Sequence, residues 1–318
     1  MTTAPTETIS HDTTPASVAA DTEPDVLQPT EEELARHEEA LAKLFERIGE
    51  ISSLPAVAGR ILKVASDQSS GATDLMEAVA DDPSLALRIM RTVNSSYFGL
   101  RNPIADLKSA ISLLGFRVVR NLALTIHVSR LFHESGGYRS FTRDGLWRHM
   151  VAVASIAKMV AKTCRQTDPE EAYLAGLLHD VGIILIDQFL RKHFVKILDD
   201  IDRGKTSTDA EREELTFDHS QLGAYIAEQS HFAESIVVAI RHHHTPDDYE
   251  GPHQPMLDVV LVANYLASRQ DIASLGDGNF TVPSDQVFSR LGINKDQLEE
   301  IWSQLEPTLD SASTLASL

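Results

Sequence analysis

Cysteine is nearly absent: Cys164 is the only one in 318 residues. That excludes a disulfide framework and any cysteine-based zinc site, and it fits a reducing compartment. The lone thiol itself reads as a small buried apolar side chain. Long apolar runs are missing too. None approaches the ~20 residues of a membrane-spanning helix, and the N-terminus lacks the basic, apolar, small-residue order of a secretion signal, so the expectation is a cytoplasmic protein with no membrane partner. Basic residues are outnumbered by acidic ones, 28 against 47, for a formal net charge of −19. Such a surface repels phosphate backbones and excludes duplex nucleic acid as a general partner. No segment shows the period-two alternation of a strand, and no internal repeat is visible.

What is present is a hydrophobic fraction of 42 %, enough for a sizeable core, arranged with helical periodicity. Residues 1–30 are the exception. Rich in Thr, Pro, Asp and Glu, with few large apolar side chains, they read as a disordered tail. Residues 31–50 read as a leading helix, with Leu34, Leu41, Leu44, Phe45 and Ile48 near a 3.6-residue period. A helical domain over 51–250 and a helical C-terminal extension over 251–318 complete the expected all-α organisation. Asp82-Pro83 is an N-cap followed by proline at the first helical position. Further helices are expected near 107–114, 118–131, 146–162, 170–189, 219–229, 235–244 and 257–267. A last acidic amphipathic helix is expected over 286–305, before a Ser/Ala tail.

The thirteen histidines are more telling by placement than by number. His149 shares a helical face with Val153, Ile156 and Val160, His219 with Leu222 and Ile226, and His243 with Ile236 and Ile240. Each alone reads as a core histidine, satisfied by one or two hydrogen bonds. His179-Asp180, inside Gly176-Leu177-Leu178-His179-Asp180-Val181-Gly182, is different. A carboxylate on so apolar a segment is costly to bury unless a cation neutralises it. Imidazole nitrogen with carboxylate oxygen suits iron, manganese or zinc. Trp147, Asn94 and Ser95 read as packing and helix-end residues rather than site residues.

The order His149, His179-Asp180, His219, His243-His244 resembles the HD superfamily of metal-dependent phosphohydrolases. Leu54-Pro55, Asp82-Pro83, Asn94-Ser95 with Phe98-Gly99, Leu114-Gly115, the Gly176–Gly182 stretch and His243-His244-Thr245-Pro246 narrow the likeness to the HDOD domain. That resemblance implies a bacterial signal-transduction module, acting through a protein or nucleotide partner and generally without hydrolase activity. The alternative it leaves open is hydrolysis of a nucleotide or cyclic dinucleotide. In that case His149, His179, Asp180, His219, His243 and His244 would ligate one or two divalent metals, with Asp180 bridging them. The pattern departs at its closing aspartate, where Asn264 stands; a neutral amide there weakens charge compensation. Asp258, six residues earlier, falls on another face of the helix. The Gly-Tyr-Pro tripeptide of cyclic-di-GMP-degrading relatives is missing. The sequence shows no obvious cluster of arginines for a nucleotide phosphate, although Arg143, Arg148 and Arg241 could approach the site.

Overall fold

The computed structural model describes residues 60–317, apart from 62, 66, 68, 133–135 and 276–280. The expected tail over 1–30, the leading helix over 31–50 and Leu54-Pro55 lie outside the described residues. Among the described residues from Ala72 onward, the chain forms fourteen α-helices and one two-stranded sheet.

Four helices come first: α1 (Ala72–Ala80), α2 (Pro83–Val93), α3 (Leu107–Leu114) and α4 (Phe116–Ser129). Their boundaries follow from local chemistry. The Asp82 carboxylate accepts from the Leu85 N–H, with Pro83 in the first turn, and Asp106 caps α3 through the Ser109 N–H. Gly115, at φ +92°, turns the chain from α3 directly into α4. Asn94 and Ser95 serve the end of α2. The Asn94 amide exchanges two hydrogen bonds with the Ile104 backbone, and the Ser95 hydroxyl donates to the Thr92 carbonyl.

The axis of the molecule is α5 (Arg143–Cys164), which packs against α6 (Pro169–Leu178), α12 (Gln254–Ser268) and α14 (Lys295–Ala316). Covered on so many sides, it is buried almost continuously from Leu146 to Ala161, and its alanines let neighbouring helices approach closely. It begins at the Thr142 cap and ends where Arg165 adopts a left-handed conformation at φ +57°. Beyond α6 come α7 (Val181–Phe189), α8 (Arg191–Ile201), α9 (Ser207–Leu215), α10 (His219–Gln229) and α11 (Glu234–His242); α13 (Asp285–Arg290) stands between α12 and α14. The α11 helix leans on both α10 and α12, closing a ring of helices around one end of α6.

Six expectations need correction. The single helix expected over 170–189 is two, broken at His179-Asp180, where Asp180 leaves helical geometry with φ −104° and ψ 12°. The stretch Pro169–Phe189 is 21 residues and apolar enough, by length and composition, to cross a membrane, longer than any run expected; 89 % of its most apolar window is buried within this fold, as a core segment is. The final expected helix is also two. Gly292, at φ +64°, breaks it, and Asn294 starts α14 with a capping box to Gln297. The Ser/Ala segment expected as a tail is helical as far as Ala316, because Ile301, Leu305, Ala312 and Leu315 continue one buried stripe. A strand pair exists after all: Gly137-Tyr138 (β1) and Phe141-Thr142 (β2) pair antiparallel. Two residues each are too few to show an alternating pattern; the hairpin turns on Arg139, at φ +56°, and anchors Phe141 edge-on against Phe194. Cys164, finally, is half-buried rather than buried.

Candidate metal centre

Five helix ends converge on Asp180. His149 comes from the first turns of α5, and His179 and Asp180 occupy the break between α6 and α7. His219 opens α10, while His243 and His244 follow α11. Two glycines make the convergence possible. A Cβ on Gly176 would stand 2.9 Å from the Val153 carbonyl and the Ala154 Cα, so only glycine lets α6 lie this close to the helix carrying His149. A Cβ on Gly182 would stand 2.0 Å from the His219 carbonyl oxygen, so the same applies where α7 meets α10.

The distances are those of a ligand set. One oxygen of Asp180, Oδ2, lies 3.5 Å from His149 Nε2 and 3.2 Å from His179 Nε2, and the two nitrogens are 3.3 Å apart. The other oxygen, Oδ1, lies 3.4 Å from His219 Nε2 and 3.3 Å from His243 Nε2, and His219 Nε2 is 2.9 Å from His244 Nε2. Four atoms placed tetrahedrally about a first-row ion at ~2.0–2.1 Å would be roughly 3.3 Å apart. The two groupings, His149/His179/Asp180 and Asp180/His219/His243/His244, share the carboxylate.

Hydrogen bonding at the far side of each ring decides what faces inward. The Nδ1 atoms of His149, His179 and His243 contact the backbone carbonyls of Ile272, Gly176 and Ile240 at 2.6, 2.8 and 2.8 Å. A carbonyl only accepts, so Nδ1 carries the proton and Nε2 of the neutral ring presents a lone pair. These lone pairs point at one another and at a carboxylate, an arrangement that is repulsive until a cation sits among them. His243 Nε2 is accordingly buried and forms no hydrogen bond. The residues therefore fit a divalent cation on donor chemistry and on spacing.

Electrostatics turn on where the ring protons sit. Burial would raise the Asp180 carboxyl; with protons on the inward nitrogens, His179 first and then His219 and His243 outweigh it and hold the group well below the usual carboxylate range, the part a cation would play among the neutral rings. Burial pushes His149 down to about 4, lowers His243, and, with His243 and His219 alongside, holds His244 well below the ordinary imidazole value. All three stay neutral and ready to ligate. His219 goes the other way: burial opposes its charged form, yet Glu211 and then Asp180 lift it well above the ordinary value. A proton on His219 Nε2 can be donated to His244 Nε2, and a metal ion would take its place.

The expected arginines are engaged elsewhere. Arg143 bonds Asp187 at 2.5 Å, Arg148 pairs with Asp144 at 3.0 Å, and Arg241 pairs with Glu228. Asp258 is buried and held by Nε and Nη2 of Arg290, each donating at 2.7 Å, and Asn264 is half-buried on α12. Trp147 is buried, and its Nε1–H donates to the Ala316 carbonyl, tying α14 to α5. Two contributors escaped the sequence reading. The Ile272 carbonyl is invisible to it because any residue type has one. Glu211 sits in an acidic run, Ser207–Leu215, that looks solvated, and nothing in its spacing marks it as buried.

Comparison with known proteins gives this arrangement a family. The HDOD domain profile matches residues 51–246. An uncharacterised protein of Treponema pallidum (strain Nichols) is 24 % identical over 233 residues, covering 70 % of this chain but 43 % of that protein, so the chain spans less than half of that relative's length. The crystal structure of an HDOD domain protein of unknown function from Geobacter sulfurreducens superposes with a TM-score of 0.71 at 24 % identity, covering 87 % of this chain and 98 % of that one. A protein of Marinobacter aquaeolei VT8, provisionally named for signal transduction, superposes with a TM-score of 0.72 at 23 % identity, covering 90 % of this chain and 65 % of that one. At these identities the structural likeness is one of fold, and the profile, matching well over half of the chain, settles the family. The chain belongs to the HDOD domain family.

Proposed function

We propose that this protein is a regulatory HDOD module that acts through a protein or nucleotide partner in the cytoplasm, and that its histidine–carboxylate centre holds a first-row divalent cation as part of the module's framework rather than for turnover. The observation that carries this reading is the burial of the centre. His149, His179, Asp180, His219 and His243 are each at most 2 % exposed, and only His244 is half-buried. A substrate phosphate has to reach an open coordination position, whereas a framework ion needs a closed set of ligands. Asn264, neutral where the resemblance leads one to expect aspartate, supports the same side.

The ligands would be His149, His179, Asp180, His219, His243 and His244, with iron, manganese or zinc as the candidates. When bound, such an ion supplies Lewis acidity and lowers the pKa of any water it holds. The chain's own contribution is orientation: three backbone carbonyls and one buried carboxylate fix which nitrogen faces inward in four of the five rings. The name of the Marinobacter protein is consistent with regulation, although its likeness extends to fold alone.

The deciding experiment is elemental analysis of the full chain purified without chelator or tag-derived metal, beside Asp180→Ala. Near-stoichiometric metal in the wild type alone is the expected result. Metal in neither protein sinks the metal-holding part of the proposal. A second reading, a metal-dependent phosphohydrolase with Asp180 bridging two ions, is favoured by one observation: the two oxygens of Asp180 face two different sets of histidines. Release of phosphate or a linear product from a nucleotide and cyclic-dinucleotide panel by the metal-loaded wild type, and not by Asp180→Ala, would replace the first reading with the second.

A further inference from the structure

We propose that Glu211, outside the ligand set, is the positioning residue that supplies the centre's second negative charge through His219, and thereby makes Asp180/His219/His243/His244 the half that binds its cation more tightly. This rests on the metal-holding reading above and concerns which residue makes that site tight.

Asp180 is the only acidic member of either ligand grouping, so a divalent cation there keeps one uncompensated positive charge in a buried place. A second carboxylate is already at hand. Glu211 is 0 % exposed, and its Oε2 accepts two hydrogen bonds, from the His219 N–H at 2.8 Å and from His219 Nδ1 at 2.7 Å. Its other oxygen, Oε1, is buried without a hydrogen bond. Among the described residues Glu211 has no lysine or arginine partner; its ion-pair partner is His219.

The neighbouring buried acids differ in this respect. Asp218, also 0 % exposed and seven residues along, is answered by Arg212 at 2.6 Å, and Asp258 by Arg290 at 2.7 Å. A carboxylate buried beside one imidazole and no fixed cation is costly on its own, and a metal ion on the far nitrogen of that imidazole removes the cost. The backbone delivers it there: Thr216, at φ +70°, ends α9 and turns the chain back, so that Glu211 meets the first residue of α10. The corresponding acceptors at His149, His179 and His243 are neutral carbonyls. The His219 arm alone therefore combines ligand orientation with charge, and a carboxylate in that place increases the basicity of the ligand.

The test is metal affinity in the full chain, measured by titrating the metal-free protein with Co²⁺ and with Zn²⁺ and reading calorimetry and the Co²⁺ absorption bands. Glu211→Gln keeps one oxygen for both N–H donors and removes only the charge. The expected result is a 10- to 100-fold loss in affinity for the first ion, with altered Co²⁺ bands and a metal-free melting temperature close to wild type. His149→Gln, on the other half, should lower first-ion affinity by a smaller factor than Glu211→Gln does. Equal affinity in Glu211→Gln and wild type, or an equal or larger loss in His149→Gln, overturns the inference while leaving the metal centre standing. Failure of the wild type itself to bind either ion overturns both. If Glu211→Gln does not fold, Glu211→Asp carries the test: withdrawing the carboxylate by one methylene should weaken first-ion binding at least tenfold, and unchanged binding overturns the proposal.

Discussion

Asp180 and Asp187 stand at the two ends of one nine-residue helix, α7, and are almost equally buried, at 2 % and 1 % exposed. Their surroundings are opposite. Asp187 is gripped by Arg143 and Arg191, and Arg191 also donates to the Gly137 carbonyl, so the pair fastens the β-hairpin to the helical body. Asp180 has no arginine or lysine partner among the described residues, only a ring of imidazoles, of which His149, His179 and His243 turn an acceptor nitrogen inward. Burying a carboxylate needs a cation in both places. One site contains it as a side chain and is complete; the other offers side chains that fit one from solution. Burial and chemical type alone therefore do not separate a framework acid from a site acid. The protonation states of the neighbours do.

That comparison is open to direct attack. The largest expected effect is at Asp187: Asp187→Ala should leave metal content unchanged while costing about 3–5 kcal/mol of stability by urea unfolding, because it breaks the ion pairs of a fully buried carboxylate with Arg143 and Arg191. Asp180→Ala should do the reverse, abolishing metal-dependent stabilisation. For the wild type that gain is about 2.7 kcal/mol at a metal concentration 100 times Kd. Equal loss of metal in both variants would erase the distinction.

Next comes Gly182→Ala. Its Cβ would strike the His219 carbonyl, so α7 and α10 must part, with an expected cost of about 2–3 kcal/mol and weakened metal binding. Full retention of metal would show that the close approach is not what assembles the centre.

An effect of similar or smaller size concerns pH and a histidine outside the centre. Burial, helped by Arg130, pushes His127 down to about 4. Its folded value lies below the ordinary ~6.5 of an unfolded chain, so the unfolded state takes up the proton first. Stability is complete above about pH 6.5 and falls as pH drops toward 4, by at most about 3 kcal/mol from this residue. In the presence of chelator, His127→Gln should flatten that decline between pH 6.5 and 4; an unaltered decline would place the acid sensitivity elsewhere. The smallest effect is expected from Trp147→Phe, which removes the hydrogen bond to the Ala316 carbonyl for about 1 kcal/mol and should leave metal affinity as it was.

Much of the helical layout was legible because burial on one face imposes a period of 3.6 wherever a helix lies on a core. The expected segments at 107–114 and 219–229 coincide with α3 and α10. Legibility failed where that signal is silent. The run 170–189 is apolar all round, so nothing in its pattern marks the break at His179-Asp180. The hairpin at 137–142 is too short for any period. The Ser/Ala segment after Leu305 carries its stripe in small residues that look like a tail until α5 is there to cover them.

The six candidate ligands came from the resemblance of their order to the HD pattern; from residue type alone only the His-Asp pair announced itself, by being polar on an apolar segment. By itself the sequence determined the helical class, the acidic surface and the identity of the side chains available to a cation, since periodicity, charge and donor chemistry are properties of residues in order. Only the tertiary structure decided that Asp180 stands between two sets of histidines, that Ile272 and Glu211 orient two of the rings, and that Arg143 belongs to Asp187. Those outcomes depend on helices meeting across tens of residues, and on two glycines whose missing side chains set how near the helices come.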